Sequence, residues 1–196
     1  REVDKTHYDV IIAPDYDSGA LELLRRKSAL RLLALESLAK PGTPSGADYR
    51  RVRGGFLAQT WDAIAEAELK PRTMTRRAPT AQEMSDLIFA WRAVRHIKSN
   101  AIVLAKDKEL LGMGAGQPSR VVSMELALKR AGERARGSVV GSDAFFPFAD
   151  GVELAARAGV TAIMQPGGSV RDQDAIAVAD KYNIAMVFTG ARHFKH

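Results

Sequence analysis

The chain has 196 residues, 46% of them hydrophobic and 27% charged, which suits one domain or one and a part and excludes a disordered chain. It contains no cysteine, which excludes a disulfide framework, a thiolate metal site and a cysteine nucleophile, and which fits a reducing compartment. The formal charge is +6: residues 1–78 hold 14 Lys and Arg against 11 Asp and Glu, and residues 79–196 hold 15 against 12, so the excess is spread evenly.

The clusters Arg25-Arg26-Lys27, Arg50-Arg51-Arg53 and Arg76-Arg77 therefore read as solvated basic faces before they read as a nucleic-acid surface. A modest positive field also suits a small anionic substrate. The four histidines, His7, His96, His193 and His196, lack metal-ligand spacing, so no zinc is expected. No apolar run approaches the ~18 residues of a membrane helix, and no signal leader opens the chain, so neither a membrane span nor export is expected. The start at Arg1 reads as that of a fragment.

Tyr8 to Ala13, ending at Pro14, reads as a buried strand, and Ser18 to Lys27 as a helix capped by Asp17 or Ser18. Leu30 to Leu35 is a second strand. Lys40 to Gly46 is a loop by composition, and Arg50 to Trp61 holds an extended pair around Gly54-Gly55. The polar, Arg-rich stretch from Pro71 to Pro79 reads as a linker, which gives three segments: 1–70, a linker 71–79, and 80–196.

Thr80-Ala81-Gln82-Glu83 is a capping-box pattern, and Met84, Leu87, Ile88, Trp91, Val94 and Ile97 follow at helical spacing as a core-facing stripe. Ala101 to Ala105 is a buried strand. Leu111 to Arg120 reads as a glycine-rich turn into a helix from Val121 to Arg134. Ser138 to Val140 is a strand and Asp150 opens a helix ending near Gly159. Val160 to Met164 is a strand, Gln165 to Gly168 a turn, and Ser169 to Asp172 the start of a helix reaching Asn183. Ile184 to Phe188 is the last strand. Alternating strands and helices predict an α/β sandwich with some parallel pairing.

Four constellations could carry chemistry. Gly112 to Arg120 could present backbone N–H groups, a helix N-terminus and the Arg120 guanidinium to an oxyanion, or be a tight structural turn; it is neither a GxGxxG fingerprint nor a P-loop. Ser142 to Asp150 places Phe145, Phe146 and Phe148 between a strand and a helix. They could stack on a planar heterocycle whose amino groups Asp143 and Asp150 accept from, or plug the space under a loop, with Asp150 a plain cap. Gln165 to Val170 repeats the strand, glycine turn and helix order, with Ser169 and Asp172 in capping-box positions. The ending Arg192 to His196 would ordinarily be a disordered tail, yet it follows a buried strand so closely that Arg192 should lie at that strand's end, where ligands of α/β sheets bind.

Lys98-Ser99-Asn100-Ala101-Ile102, the run from Gly114 to Arg120, Ser142 to Phe148, the ending Arg192 to His196, and the opening Val10 to Tyr16 with Gly19-Ala20-Leu21 resemble one family. It is the bifunctional purine-biosynthesis family that joins AICAR transformylase to IMP cyclohydrolase. The similarity runs through the whole chain in order, and it matches the later part of the transformylase region.

The resemblance implies a layered α/β sandwich like the cytidine deaminase fold, a mixed sheet flanked by helices. In that scheme residues 1–70 close a first transformylase lobe and residues 80–196 form the second. It implies AICAR contacts from Asn100, Arg120, Phe145 and Arg192, and folate contacts from Val121, Asp150, Ser169 and Val170, with Pro147 and Phe148 lining the pocket. Asp143 would help hold a structural potassium ion. The implied cosubstrate is 10-formyltetrahydrofolate, the partners AICAR and reduced folate, and the assembly a cytoplasmic homodimer with active sites at the interface, with no nucleic acid or membrane involved. The family's catalytic Lys-His pair, in a KHxNPCG-like segment, has no counterpart here, because no Lys-His dipeptide occurs. The cyclohydrolase domain is also missing from this sequence. The short spacing between Arg120 and Ser142 resembles bacterial members.

Overall fold

Strands that read as unbroken apolar runs belong in a sheet covered on both faces, and the second half of the chain builds one. The computed structural model describes residues 5, 7–39, 46–65 and 68–195. The chain divides into two units, Arg1–Ala63 and Ile64–His196.

In the first unit, β1 (Val10–Ala13) pairs in parallel with β2 (Arg31–Ala34), with Ile11 opposite Leu32. Between them lies α1 (Ser18–Leu24), whose N-cap Asp17 accepts from the Ala20 N–H. Tyr16 ties the pair together by donating its hydroxyl towards the Ile11 and Leu33 carbonyls. A short 3-10 turn (Glu36–Ala39) follows. The antiparallel hairpin β3 (Ala47–Val52) and β4 (Gly55–Thr60) turns at Arg53-Gly54, Gly54 having a φ of 89°. The loop read over Lys40 to Gly46 lies, except for Gly46, outside the described residues. Among the described residues of this unit only Leu24 is buried.

The second unit holds a six-stranded sheet in the order β5-β10-β9-β8-β6-β7. Its strands are β5 (Arg72–Thr73), β6 (Ile102–Lys106), β7 (Glu109–Gly114), β8 (Val139–Ser142), β9 (Ala162–Gln165) and β10 (Ala185–Phe188). The pairs β8/β9 and β9/β10 are parallel, whereas β5, β6 and β7 join antiparallel. The fold is thus mixed α/β with helices on both faces of the sheet. Period-two alternation sorts the strand residues. Ile102, Leu104, Val140, Ile163, Met186 and Phe188 face one core with α3 (Arg120–Ala131), α4 (Asp150–Arg157) and α5 (Asp172–Lys181). Ala101, Val103, Ala105, Val139, Ala162, Met164, Ala185 and Val187 face the other with Leu87, Ala90, Trp91 and Val94 of α2 (Ala81–Val94). The Thr80–Glu83 capping box forms as read.

The stretch 71–79 is not a linker. Arg72–Thr73 is the edge strand of the sheet, Met74 donates to the Met186 carbonyl, and the Thr75 hydroxyl accepts from the Met186 N–H. Arg77 then binds Glu83 through both nitrogens and also donates to the Thr161 and Asn183 carbonyls. Its polar composition reflects edge pairing and ion pairing, and the division of the chain falls between Ala63 and Ile64 instead. Burial alone would raise the Glu83 pKa, but the Arg77 guanidinium and the Thr80 N–H outweigh it and hold the carboxyl at about 2.

Leu111 to Gly114 is not part of a turn either: it belongs to β7. The true turn is Asp107-Lys108, both left-handed with φ of 52° and 57°, as a two-residue hairpin loop requires. The buried carboxylate of Asp86 on α2 accepts from both of their N–H groups. Gly112 and Gly114 instead let α3 lie against the strand, since a Cβ on Gly114 would stand 1.9 Å from the Ser123 carbonyl oxygen and one on Gly112 2.2 Å from that of Ala127.

Candidate functional site

Because β8, β9 and β10 run parallel while β6 runs opposite to β8, five separated pieces of sequence reach one edge of the sheet. They are Asn100 before β6, the 115–119 connection after β7, the 143–149 loop after β8, the 166–171 loop after β9, and the segment 189–195 after β10. Crevices at this carboxyl edge are where open α/β sheets bind ligands. Every candidate site residue of the sequence analysis lies on one of these pieces or on the first residues of α3 and α4.

Arg120, the first residue of α3, is buried and turned inward. Its Nε donates to Ser142 Oγ at 3.0 Å, one terminal nitrogen to the Phe145 carbonyl at 3.2 Å, and the other to Asn100 Oδ1 at 3.2 Å and Asp143 Oδ1 at 2.5 Å. Four of five guanidinium donors are thereby spent within the protein. Arg120 fastens the start of β6 to the loop after β8, and it is not the open anion clamp that its glycine-rich approach suggests. The approach itself differs from an oxyanion cradle, because two of its glycines are consumed by helix packing. Asn100 is held from the other side by donating to the Gln117 carbonyl at 2.9 Å, while its own carbonyl accepts from Ser123 Oγ.

The three phenylalanines part company. Phe146 is 1% exposed and joins the core, with its N–H donating to the buried Gln165 Oε1. Phe145 is half-buried, and Phe148 is 52% exposed beside an exposed Pro147. Each of these two carries an arginine from another loop over its ring. The Arg192 guanidinium lies 5.9 Å from the Phe145 centroid and 4.0 Å from that of Phe194, and the Arg171 guanidinium 4.8 Å from that of Phe148. Such exposed cation–π contacts contribute about 0.5–1 kcal/mol each, little enough for a ligand to displace them.

Residues 189–195 are not a loose tail. Thr189 donates to the Gln165 carbonyl, Gly190 to that of Pro166, and His193 to that of Asp143, while Ser99 and Lys195 bond through their backbones. The segment crosses the ends of β9 and β8 on its way to Ser99. His193 is 2% exposed, with its ring 4.7 Å from that of Trp91. The sequence gives no sign of this anchor, since a histidine five residues from an apolar strand carries no mark of burial. His196 lies outside the described residues.

Asp150 is the first residue of α4 and not its cap, which is Ala149. Its exposed carboxylate accepts the Gly151 N–H at 2.7 Å. With Val121, Glu125, Glu153, Leu154 and Arg157 it lines a shallow depression of about 290 Å³. Ser169 and Asp172 do not form the expected capping box. Arg171 occupies the cap position without a side-chain bond, the Ser169 hydroxyl accepts from Arg171 N, and Asp172 accepts from Gly168 N at 2.7 Å. Val170 at the loop's tip is fully exposed. Asp143 is 1% exposed, and its Oδ2 is buried with no hydrogen-bond partner. Among the described residues no cluster of three His, Asp or Glu could hold a metal ion, and no helix is long and apolar enough to cross a membrane.

The chain is 48% identical over its whole length to the bifunctional purine biosynthesis protein PurH of Acetivibrio thermocellus, covering 38% of that protein. It is 50% identical to PurH of Bacillus thuringiensis, again over the whole chain and 40% of the relative. The chain thus spans about two-fifths of the length of these relatives. Among solved structures, RibD of Acinetobacter baumannii matches 53% of this chain and 32% of its own at 23% identity, with a TM-score of 0.36, too slight a likeness to define the fold. The model of the AICARFT/IMPCHase bienzyme family matches residues 1–130, and with these relatives it shows that the chain belongs to that family.

Proposed function

We propose that this chain is the closing part of the transformylase region of a bifunctional purine-biosynthesis enzyme, and that it positions two ligands for formyl transfer. The transfer runs from 10-formyltetrahydrofolate to the 5-amino group of AICAR, after which the product cyclises to IMP. The carrying observation is the meeting of five chain segments at one sheet edge, which holds both the Arg192–Phe145 contact and the bonds by which the buried Arg120 and Asp143 join the half-buried Asn100.

The accepting amine is a poor nucleophile, because its lone pair is delocalised into the imidazole and shared with the neighbouring carboxamide. Catalysis therefore needs proton removal and close alignment of donor and acceptor. This chain supplies alignment. Arg192 binds AICAR with Phe145 as a wall, Asn100 adds a polar contact, and Arg120 keeps one unspent donor for the nucleotide while it fixes the loop. On the folate side Asp150 accepts from the amino group of the pteridine ring, Val121, Pro147 and Phe148 form walls, and Ser169 and Val170 border the ring from the loop after β9. Asp143 Oδ1 is already paired with Arg120, so a potassium ion would add a ligand contact only to the unpartnered Oδ2. Proton removal falls to the Lys-His segment absent from this sequence, so the chain alone is inactive. The parent works as a cytoplasmic homodimer with a deaminase-like lobe, and in isolation the chain is a non-catalytic nucleotide- or folate-binding module.

The test is Arg192→Ala in the full-length enzyme. A lost charged hydrogen bond weakens AICAR use by about ten- to hundredfold, with an unchanged melting temperature and partial rescue by Arg192→Lys. Unchanged AICAR saturation would place the C-terminus outside the site. Tetrahydrofolate release by the isolated chain would refute its inactivity. Tight, sequence-dependent RNA binding with a steep salt dependence, without AICAR binding, would favour a nucleic-acid role.

A further inference from the structure

Two phenylalanines three residues apart in one loop each carry an arginine from a different loop, and the ligand contacts proposed above employ only one of the two arginines. Arg192 over Phe145 is assigned to the nucleotide. Arg171 over Phe148 is left over. It is exposed, makes no ion pair among the described residues, and follows the fully exposed Val170. Its backbone, in contrast, is fixed. Ser169 Oγ accepts its N–H, the Asp172 carboxylate holds Gly168, and the Pro166 carbonyl accepts the Gly190 N–H. A cation without an acidic partner, on a pinned loop at the ligand edge, resting on the face of an exposed aromatic ring, is arranged to meet an anion that arrives together with an aromatic group.

We propose that Arg171 is a specificity residue that recognises the carboxylate end of the folate cosubstrate, with Phe148 as its resting platform. This rests on the reading that the site takes 10-formyltetrahydrofolate. That molecule places its pteridine at one end, a benzoyl ring in the middle and glutamate carboxylates at the other, and the Phe148–Arg171 stack offers an aromatic face and a cation side by side for the last two. When the benzoyl ring takes the Phe148 face, the guanidinium leaves its weak stack and forms a two-pronged contact with a carboxylate. Arg171 touches the part of the substrate remote from the reacting atoms, so its contribution falls on binding and not on the chemical step.

The experiment compares the full-length enzyme with its Arg171→Ala and Arg171→Lys variants. Each is measured with 10-formyltetrahydrofolate and with the carboxamide of 10-formyltetrahydropteroate, which lacks the glutamate and carries no carboxylate, at saturating AICAR. Arg171→Ala raises the KM for the glutamate-bearing donor about tenfold, the loss of one charge-assisted contact. It leaves kcat within about twofold and does not change the KM for the carboxamide, and Arg171→Lys restores part of the loss. An equal change for both donors, or none for either, overturns the proposal, as does a fall in kcat with KM unmoved. Formyl transfer by the unsubstituted enzyme keeps these outcomes separate from the underlying reading. Its absence with both donors would overturn that reading and the proposal with it.

Discussion

The two units of this chain solve opposite problems. The second closes a six-stranded sheet between two helical layers and buries both faces of β6, β8, β9 and β10. Among its described residues the first has two two-stranded sheets, a single buried side chain, and Tyr49, Phe56, Ile12 and Leu33 each more than half exposed. Two-stranded sheets are marginal by themselves, and apolar side chains left this exposed add little to their stability. The difference teaches that strand propensity alone does not make a core; a strand becomes stable where both of its faces meet a partner.

The sharpest way to break this comparison is to separate the units. A polypeptide of residues 64–196 is expected to give a cooperative urea transition followed by circular dichroism, and one of residues 1–63 none. A cooperative transition in the shorter piece would show that it carries its own core. Within the second unit, Arg120→Ala strands the buried Asp143 carboxylate and should cost about 3–5 kcal/mol in the same assay.

The Glu83–Arg77 pair provides a pH test. Its carboxyl is held at about 2 in the folded chain against an ordinary 4.5. A depressed acid contributes stability above its unfolded pKa and loses it as pH falls through the folded one. About 3 kcal/mol should therefore disappear between pH 4.5 and 2, and Glu83→Gln should remove that slope. A variant with the same acid profile as the parent would refute the assignment.

Glycines give a smaller, position-dependent contrast. Gly114→Ala forces a Cβ into the Ser123 backbone and should cost roughly 3 kcal/mol, whereas Gly55→Ala in the hairpin of the first unit meets nothing within 4 Å and should change the melting temperature hardly at all. Smallest of all is Arg26→Ala, which removes an exposed pair with Glu22 at 3.1 Å and should shift stability by less than about 0.5 kcal/mol.

Much of the fold was legible because its causes are local. The Thr80–Glu83 box, the Asp17 cap, the hairpin at Gly54 and the apolar runs of β6, β9 and β10 each depend on neighbours within a few residues. The errors arose where one residue type serves two purposes. Gly112 and Gly114 look like a phosphate loop, but glycine also permits a helix to lie close to a strand, and only the position of α3 decides between the two. The Arg-rich stretch 71–79 looks like a linker, but Arg77 spends its charge on Glu83 and Arg72–Thr73 pairs with a strand more than a hundred residues later. By itself the sequence determined the alternation of strands and helices, the family, and the set of segments that carry chemistry. Tertiary structure alone decided that those segments share one edge, that Phe146 goes inward while Phe148 stays out, and that Arg120 is enclosed while Arg171 and Arg192 remain exposed. Sheet order and the direction of each strand bring residues as distant as Ser99 and Lys195 together, and no local pattern encodes that order.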